Sequence, residues 1–133
     1  MKILKVFTII VIFFVFFFSS CSTVHNEHKT IVDIITYFDD SGLKAEKIYP
    51  ALAEMIKASE GAVLVLDGVR FEVYKYDISK PEQRQKLEKI RESGEINILG
   101  IKHKVIVNGV FMLLNYQGHP REQEIIRAFE NFQ

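Results

Sequence analysis

The residues best suited to chemistry in this 133-residue chain form one short acidic cluster. The carboxylates of Asp39 and Asp40 could act as general bases or bind a cation, and the hydroxyl of Ser41 follows directly. A hydroxyl nucleophile needs an adjacent base, and no motif places a His or an acid beside Ser41. We therefore expect Asp39 and Asp40 to form a turn or a helix cap rather than a catalytic pair.

The histidines give two weaker candidate sites. His25 and His28 are three residues apart, a spacing that would let them share a metal on a helix. Their segment is polar, so we expect solvated side chains and no metal there. His103 stands between Lys102 and Lys104. Such a basic strand edge either discourages strand pairing or faces an anion or a partner.

Composition excludes several classes of protein. The chain has one cysteine, so it holds no intrachain disulfide, no cysteine-based zinc finger and no two-cysteine redox centre. Its 17 basic residues balance its 17 acidic ones, which leaves no basic surplus for nucleic acid. The length fits one domain, and we expect no cofactor.

The beginning of the chain has the order of a secretory signal. Lys2 and Lys5 precede a run, 6–18, that is apolar except for Thr8, and small residues then lead to Cys21. As a helix this run would span ~20 Å, short of the ~30 Å hydrocarbon core. We therefore interpret the beginning of the chain first as a signal for export. A permanent membrane helix and an ordinary signal with an incidental cysteine are the alternatives.

The stretch Phe18-Ser19-Ser20-Cys21 resembles the lipobox of bacterial lipoproteins, usually Leu-Ala/Ser-Gly/Ala-Cys, although Phe18 and Ser20 depart from it. In that family the cysteine is lipidated, and several acyl chains give stable anchoring. The resemblance implies a signal peptide over 1–20, a lipidated tether over 21–29, and attachment through Cys21 to an envelope membrane, at the periplasmic face of the outer membrane or at the cell surface. The mature chain would have 113 residues, with 15 basic against 17 acidic.

Periodicity predicts the elements of the first half. The β-branched and aromatic run 30–38 is typical of a buried strand, and Asp39-Asp40-Ser41-Gly42 of a turn that starts a helix. The spacing of Leu43, Ile48, Leu52, Met55 and Ile56 predicts the apolar face of a helix over 43–59, with a kink at Pro50. Residues 62–66 either extend that helix or form a strand.

The second half has clearer signals. Alternation predicts a strand over 69–77. Ser79-Lys80-Pro81-Glu82 predicts a capping box at the start of a helix over 80–93, which ends at Gly94.

The end of the chain predicts a hairpin and a helix. Strands 103–107 and 110–116 flank Asn108-Gly109, a pair typical of hairpin turns in which both residues have positive φ. Gly118-His119-Pro120 then opens the last helix. The predicted order is β-α-β-α-β-β-α, an α/β fold with a central mixed sheet of about four strands and about three flanking helices.

This order has a family resemblance. Tyr49-Pro50-Ala51-Leu52-Ala53-Glu54 resembles the first helix of thioredoxin-like domains, which carries a kinking proline. Tyr74-Lys75-Tyr76-Asp77 resembles the end of their central strand, Ile106-Val107-Asn108-Gly109 their hairpin, and Tyr116-Gln117-Gly118 their ending. The resemblance covers 30–133 and implies a thioredoxin-like domain that binds extended peptides at its active-site end.

The redox site of that family is missing. The Cys-x-x-Cys pair would fall at Gly42 and Ala45, or at Asp39 and Gly42, and neither window has cysteine. Thiol–disulfide exchange needs a thiolate, so we expect no such activity. The family's cis-proline position corresponds to Lys102, where a cis bond would cost ~2.5–4 kcal/mol and trans is expected.

Two functions from different classes follow. The first is a non-catalytic, membrane-tethered interaction module that binds an envelope protein through 37–42 and 100–104. The second is an accessory domain that binds a small ligand or performs non-thiol chemistry with Asp39, Asp40 and His103 in one cleft. Convergence of these three side chains would favour the second function, and scattered, exposed ones the first. A structural lipoprotein without a ligand is a third interpretation. The candidate surface residues are Tyr37, Asp39, Asp40, Ser41, Gly42, Lys102 and His103.

Overall fold

The computed structural model describes residues 24–133. The predicted signal peptide, the lipobox and Cys21 lie outside these residues. The helices are α1 (Ile31–Asp40), α2 (Pro81–Ser93) and α3 (Glu122–Asn131), with a 3-10 helix at Ala53–Ile56. The strands are β1 (Lys47–Pro50), β2 (Glu60–Leu66), β3 (Val69–Lys75), β4 (Glu95–Ile98), β5 (Ile101–Lys104), β6 (Ile106–Asn108) and β7 (Phe111–Leu114). Within the described range, no helix combines the length and the apolar character needed to cross a membrane.

Five strands form one sheet in the order β1-β2-β3-β7-β6, and β4 and β5 form a separate hairpin. Every neighbouring pair is antiparallel. The predicted mixture of helices and strands, with three α-helices, is confirmed. The expected mixed sheet of about four strands is wrong, because short connections join β1 to β2, β2 to β3 and β6 to β7, and such connections produce antiparallel neighbours.

The first predicted strand, 30–38, is instead helix α1. Its apolar residues also recur at helical spacing, and Ile34 and Phe38 are fully buried on one face. Thr30 and Asp33 form a reciprocal capping box at its start. The cluster predicted to start a helix ends this one, and Gly42 follows with a φ of 82°.

The predicted helix 43–59 is also wrong. Its first half holds β1, and Pro50 ends that edge strand instead of kinking a helix. Proline lacks an N–H group, which an outer strand tolerates. The 3-10 helix follows and stops at Lys57, which has a φ of 58°. Residues 62–66 lie inside β2, which settles the alternative in favour of a strand. The described part of the chain therefore begins with a helix, and its element order differs from the predicted one.

The structure confirms the strand predicted over 69–77 and the helix predicted over 80–93, but not the capping box between them. Pro81 occupies the first helical turn, so the N-cap is Lys80, one residue later than predicted. The Ser79 hydroxyl donates instead to Asp77 Oδ1, at 2.6 Å. Glu82 pairs with Lys57.

The predicted hairpin near the end of the chain exists, but its turn is shifted and its first strand, predicted over 103–107, is wrong, because those residues are divided between β5 and β6 in two different sheets. Asn108 pairs with Phe111, so Gly109 and Val110 form the turn, and only Gly109 of the expected pair has positive φ, at 60°. The amide of Asn108 donates instead to the carbonyl oxygens of Phe129 and Phe132, both at 2.8 Å. Its side chain thereby caps the end of α3.

The sheet separates two apolar cores. Alternate residues of β2, β3 and β7 face α1 and α3 in the first core, which includes Phe71 and Leu113. The opposite residues, such as Tyr74 and Leu114, face α2 and the hairpin β4–β5 in the second core. The second face is covered unequally, because α2 lies against β6 whereas Val63 on β2 remains half-buried.

Candidate binding groove

Around the acidic cluster at the end of α1, the neighbouring residues Tyr37, Ser41 and Gly42 have structural roles, whereas the two aspartate side chains do not cap the helix. Tyr37 packs against the first core, with its ring 5.3 Å from that of Phe132. The Ser41 hydroxyl donates to the Tyr37 carbonyl oxygen at 2.7 Å, and the Gly42 carbonyl oxygen accepts from Arg121. The exposed side chains of Asp39 and Asp40 have no hydrogen-bond partner in the described part of the chain.

Lys102 and His103 lie on β5, in the hairpin that covers the second core. The candidate residues 37–42 lie against the first core, on the other side of the sheet. The structure therefore does not bring the two predicted halves of the surface together. Asp39, Asp40 and His103 do not converge on one cleft.

A groove on the second face of the sheet offers a different site. Its floor is formed by Val63, Tyr74 and Leu114, and its cavity has a volume of about 350 Å³. One wall is the segment 50–56, between β1 and the end of the 3-10 helix. The other wall belongs to the hairpin β4–β5, through Ile98 and His103.

Large apolar side chains stand exposed on the first wall and on the hairpin that forms the second. Leu52 is 73% exposed and Met55 54% on the first wall, while Leu99 is 87% and Ile101 62% exposed on the hairpin. Sequence periodicity missed this, because it placed Leu52 and Met55 on the buried face of a helix. Grouped exposed apolar residues beside a concavity are typical of interaction sites.

Leu99 also has an unfavourable backbone conformation. Leu99 and Gly100 form the two-residue turn of the hairpin, with φ values of 51° and 83°. Two positive φ values are typical of turns that contain Asn-Gly, and a Leu in this region costs ~1–2 kcal/mol. The turn thus holds a large, exposed aliphatic side chain at a position where Asn would make the folded protein more stable.

The floor of the groove contains a fixed polar group. The Tyr74 hydroxyl donates to Glu72 Oε2 at 3.2 Å, and Asn115 Nδ2 donates to the same oxygen at 3.0 Å. Burial and the neighbouring Glu72 carboxylate raise the pKa of Tyr74, so its phenol stays protonated and remains a donor. The ring lies over Gly61, where an added Cβ would come within 2.5 Å of it.

A second concavity adjoins the groove, and both are lined by His103 and Asn115. Its volume is about 740 Å³, and three cations line it together with a single carboxylate, that of Glu95. We call Arg70, Lys102, His103 and Lys104 the basic rim. The rim contains two of the sequence-predicted candidates, now beside an apolar groove instead of the acidic cluster.

The described residues contain no group of three His, Cys, Asp or Glu side chains able to hold a metal ion. His25 and His28 are exposed, and Asn26 between them is fully buried, so residues predicted as a tether pack on the domain from Val24 onward. No family model, no curated protein and no solved structure matches this chain. The arrangement of its own side chains therefore carries the functional argument.

Proposed function

We propose that this protein is a membrane-tethered interaction module of the bacterial cell envelope, which holds a partner protein in the groove. The observation that carries this proposal is the apolar groove, with Leu52 and Met55 exposed on one wall and Ile98 on the other. Leu99 and Ile101, which follow Ile98 on the same hairpin, are also exposed. A partner that covers these side chains would gain ~25 cal/mol for each Å² of apolar surface removed from water. The Tyr74–Glu72 pair supplies directional contacts at the centre.

The proposal does not depend on the thioredoxin resemblance, because the sheet is antiparallel throughout and the described chain begins with a helix. It retains the expectation that the chain has no thiol–disulfide activity. The proposed contact surface differs from the one predicted from the sequence. It keeps the part around Lys102 and His103, but the segment 50–56 takes the place of 37–42.

The groove is tested by site-specific crosslinking in cells. A photoreactive phenylalanine analogue placed at Leu52 or Ile101 should give a discrete crosslinked protein. The same analogue at Val32, which is 69% exposed on α1, is the matched control and should not. Equal crosslinking from both faces, or from Val32 alone, would refute the groove as the contact surface.

The tether is tested separately through Cys21. The substitution Cys21→Ala should release the chain from the membrane fraction, since a single lipidated residue would provide the attachment. Retention of the variant after salt and carbonate washes would contradict a lipid anchor and favour a membrane helix.

One observation favours a second candidate function, the binding of a small ligand. The groove volume of about 350 Å³ lies in the range of small-molecule pockets, and its floor offers a phenol and a carboxylate. Thermal-shift screening with a metabolite library tests this candidate. A hit whose effect disappears in Tyr74→Phe, together with no crosslinked protein, would favour the ligand over the partner.

A further inference from the structure

We infer that the partner reaches this surface with an extended segment that carries a bulky apolar residue next to carboxylates. The inference rests on the proposed function and specifies the chemistry of the partner. The apolar side chain would lie in the groove between 50–56 and the hairpin, and the carboxylates would lie on the basic rim.

Charge complementarity is the first argument. Arg70, Lys102 and Lys104 line the concavity beside the groove, and Glu95 is the one acidic residue among its lining. None of these three cations forms an ion pair within the described residues, whose salt bridges involve Lys57, Arg91 and Arg121. The surface is therefore locally basic on a chain whose 17 basic residues are balanced by 17 acidic ones. Opposite potentials across an interface fix the register and exclude partners of the wrong charge.

Continuity of the two concavities is the second argument. His103 and Asn115 line both of them, so the apolar groove and the basic rim adjoin each other. A single extended segment, with a rise of ~3.3 Å per residue, can therefore place an apolar side chain in one and a carboxylate in the other. The outer edge of β1 is a weaker site for strand addition, because Pro50 at its end has no N–H to donate.

The shape of the surface favours a polypeptide over a lipid bilayer. The apolar side chains border a concavity with a hydrogen-bonded polar pair on its floor, at Tyr74 and Glu72. Bilayers bind protruding apolar faces, whereas pockets with a few placed polar groups bind shaped ligands. Vesicle binding is accordingly the competing outcome in the test below.

The experiment is a selection with a library of random 12-residue peptides displayed on phage, on the full-length chain in detergent micelles. The expected result is enrichment of peptides that combine Leu, Met or Phe with two or more Asp or Glu. A synthetic copy of an enriched peptide, labelled with fluorescein, should bind the double variant K102E/K104E at least about tenfold more weakly than the unmodified chain, because like charges would face each other. Binding should also weaken as salt increases.

The matched control is K44E/K89E, which reverses two exposed lysines outside the groove and the rim. It should bind the peptide as the unmodified chain does, and urea unfolding should confirm that both double variants are folded. Enriched peptides without an acidic bias, no enrichment at all, or equal weakening in both variants would overturn the inference. Crosslinking from Leu52 and Ile101 in cells would still support the proposed function in those cases, so the two failures are distinguishable.

A vesicle arm separates a membrane from a protein segment. The Cys21→Ala chain is mixed with vesicles of phosphatidylethanolamine and phosphatidylglycerol in a 3:1 ratio and sedimented. Absence of binding agrees with the inference. Binding that K102E/K104E abolishes and K44E/K89E leaves intact would assign the basic rim to anionic lipid and overturn it.

Discussion

At the scale of single residues, Asn26 joins the start of the described chain to the far end of the sequence. Its side chain is fully buried, donates to the Asn108 carbonyl oxygen at 3.1 Å and accepts from the Val110 N–H at 3.0 Å. Gly109 between these partners leaves room for it, since a Cβ there would lie 1.9 Å from Asn26 Oδ1. The described part of the predicted tether, 24–29, thus belongs to the domain through the amide of Asn26 and the packing of Val24.

The substitution Asn26→Ala should lower the free energy of unfolding by about 2–4 kcal/mol, because the buried Val110 N–H and the partly buried Asn108 carbonyl both lose their bond to this side chain. Urea denaturation measures the change. The control is Asn97→Ala, which removes an exposed turn hydrogen bond to Gly100 and should cost about 1 kcal/mol or less. A loss in Asn26→Ala no larger than in Asn97→Ala would contradict the structural role of Asn26.

Asp33 gives a pH-dependent prediction. Hydrogen bonds from the Thr30 backbone and side chain lower the pKa of Asp33 below the usual 3.8 of an aspartate. A group with a depressed pKa in the folded state stabilises it above the unfolded-state pKa, and this contribution is lost as the pH falls through the folded-state value. The stability difference between the unmodified chain and Asp33→Asn should therefore be constant above about pH 5 and shrink in stronger acid.

Urea titrations between neutral pH and strong acid measure this difference. Asp40→Asn is the control, since it removes an exposed carboxylate at the other end of α1. That carboxylate opposes the helix dipole, so its removal should slightly stabilise the protein at neutral pH. An Asp33→Asn difference that persists unchanged in strong acid would show that the capping box does not depend on the ionised carboxylate.

At the scale of elements, the hairpin β4–β5 combines a conformational cost with the exposed side chain of the proposed site. Replacing Leu99 by Asn should raise the free energy of unfolding by about 1 kcal/mol, because Asn adopts positive φ more readily than Leu. Little packing is lost, since Leu99 is 87% exposed. The same variant should bind the partner segment more weakly, because it removes a large exposed apolar side chain next to Ile98, which lines the groove.

Denaturation and peptide binding measured on the same sample check both effects. The control is Asp67→Asn in the Asp67-Gly68 turn, which also has two positive φ values. It should change neither the free energy of unfolding nor the affinity for the peptide much. If Leu99→Asn is less stable than the unmodified chain, or binds the segment as tightly, Leu99 does not have the role proposed for it.

Elements were predictable where local signals had a single interpretation. Helix α2 has a proline near its start and Gly94 at its end, and β3 alternates clearly. Residues 30–38 are mostly apolar and fit both the helical and the strand periodicity. Their β-branched and aromatic content did not decide between the two, because strand propensity reflects packing more than backbone preference. The capping box of Thr30 and Asp33 was the local signal that could have identified α1.

The groove could not be predicted by the same means. Whether Leu52 and Met55 are covered depends on which distant element packs over them, and the hairpin that faces them comes more than 40 residues later. The Leu99-Gly100 turn gave no hairpin signal, because Leu is a poor residue for its conformation. Lys102 and His103 were predicted as surface candidates because their charge is visible in the sequence. Leu52 and Met55, on the facing wall of the groove, were assigned to the buried face of a helix.

At the scale of the whole molecule, the buried Asn26 limits how far the end of the sheet beside it can lie from the proposed anchor. Five residue steps separate Cys21 from Asn26, a reach of at most about 18 Å. Asn26 contacts the turn between β6 and β7, and this turn lies at the end of the sheet where Lys75 pairs with Phe111. The Asp67-Gly68 turn lies at the opposite end, the length of β3 away, about 23 Å.

A lipidated chain in a bilayer should therefore present its β6–β7 end to the membrane. With Cys21 blocked by lipid, a fluorophore on Glu27→Cys should be quenched strongly by spin-labelled headgroups, and one on Asp67→Cys weakly. A flexible Gly/Ser insertion of 12 residues between positions 23 and 24 should abolish the difference, because it lengthens the reach well beyond the domain. Equal quenching without the insertion would contradict this orientation. Strong quenching of a label at Leu99→Cys would instead show that the groove faces the bilayer, where a protein partner could not reach it.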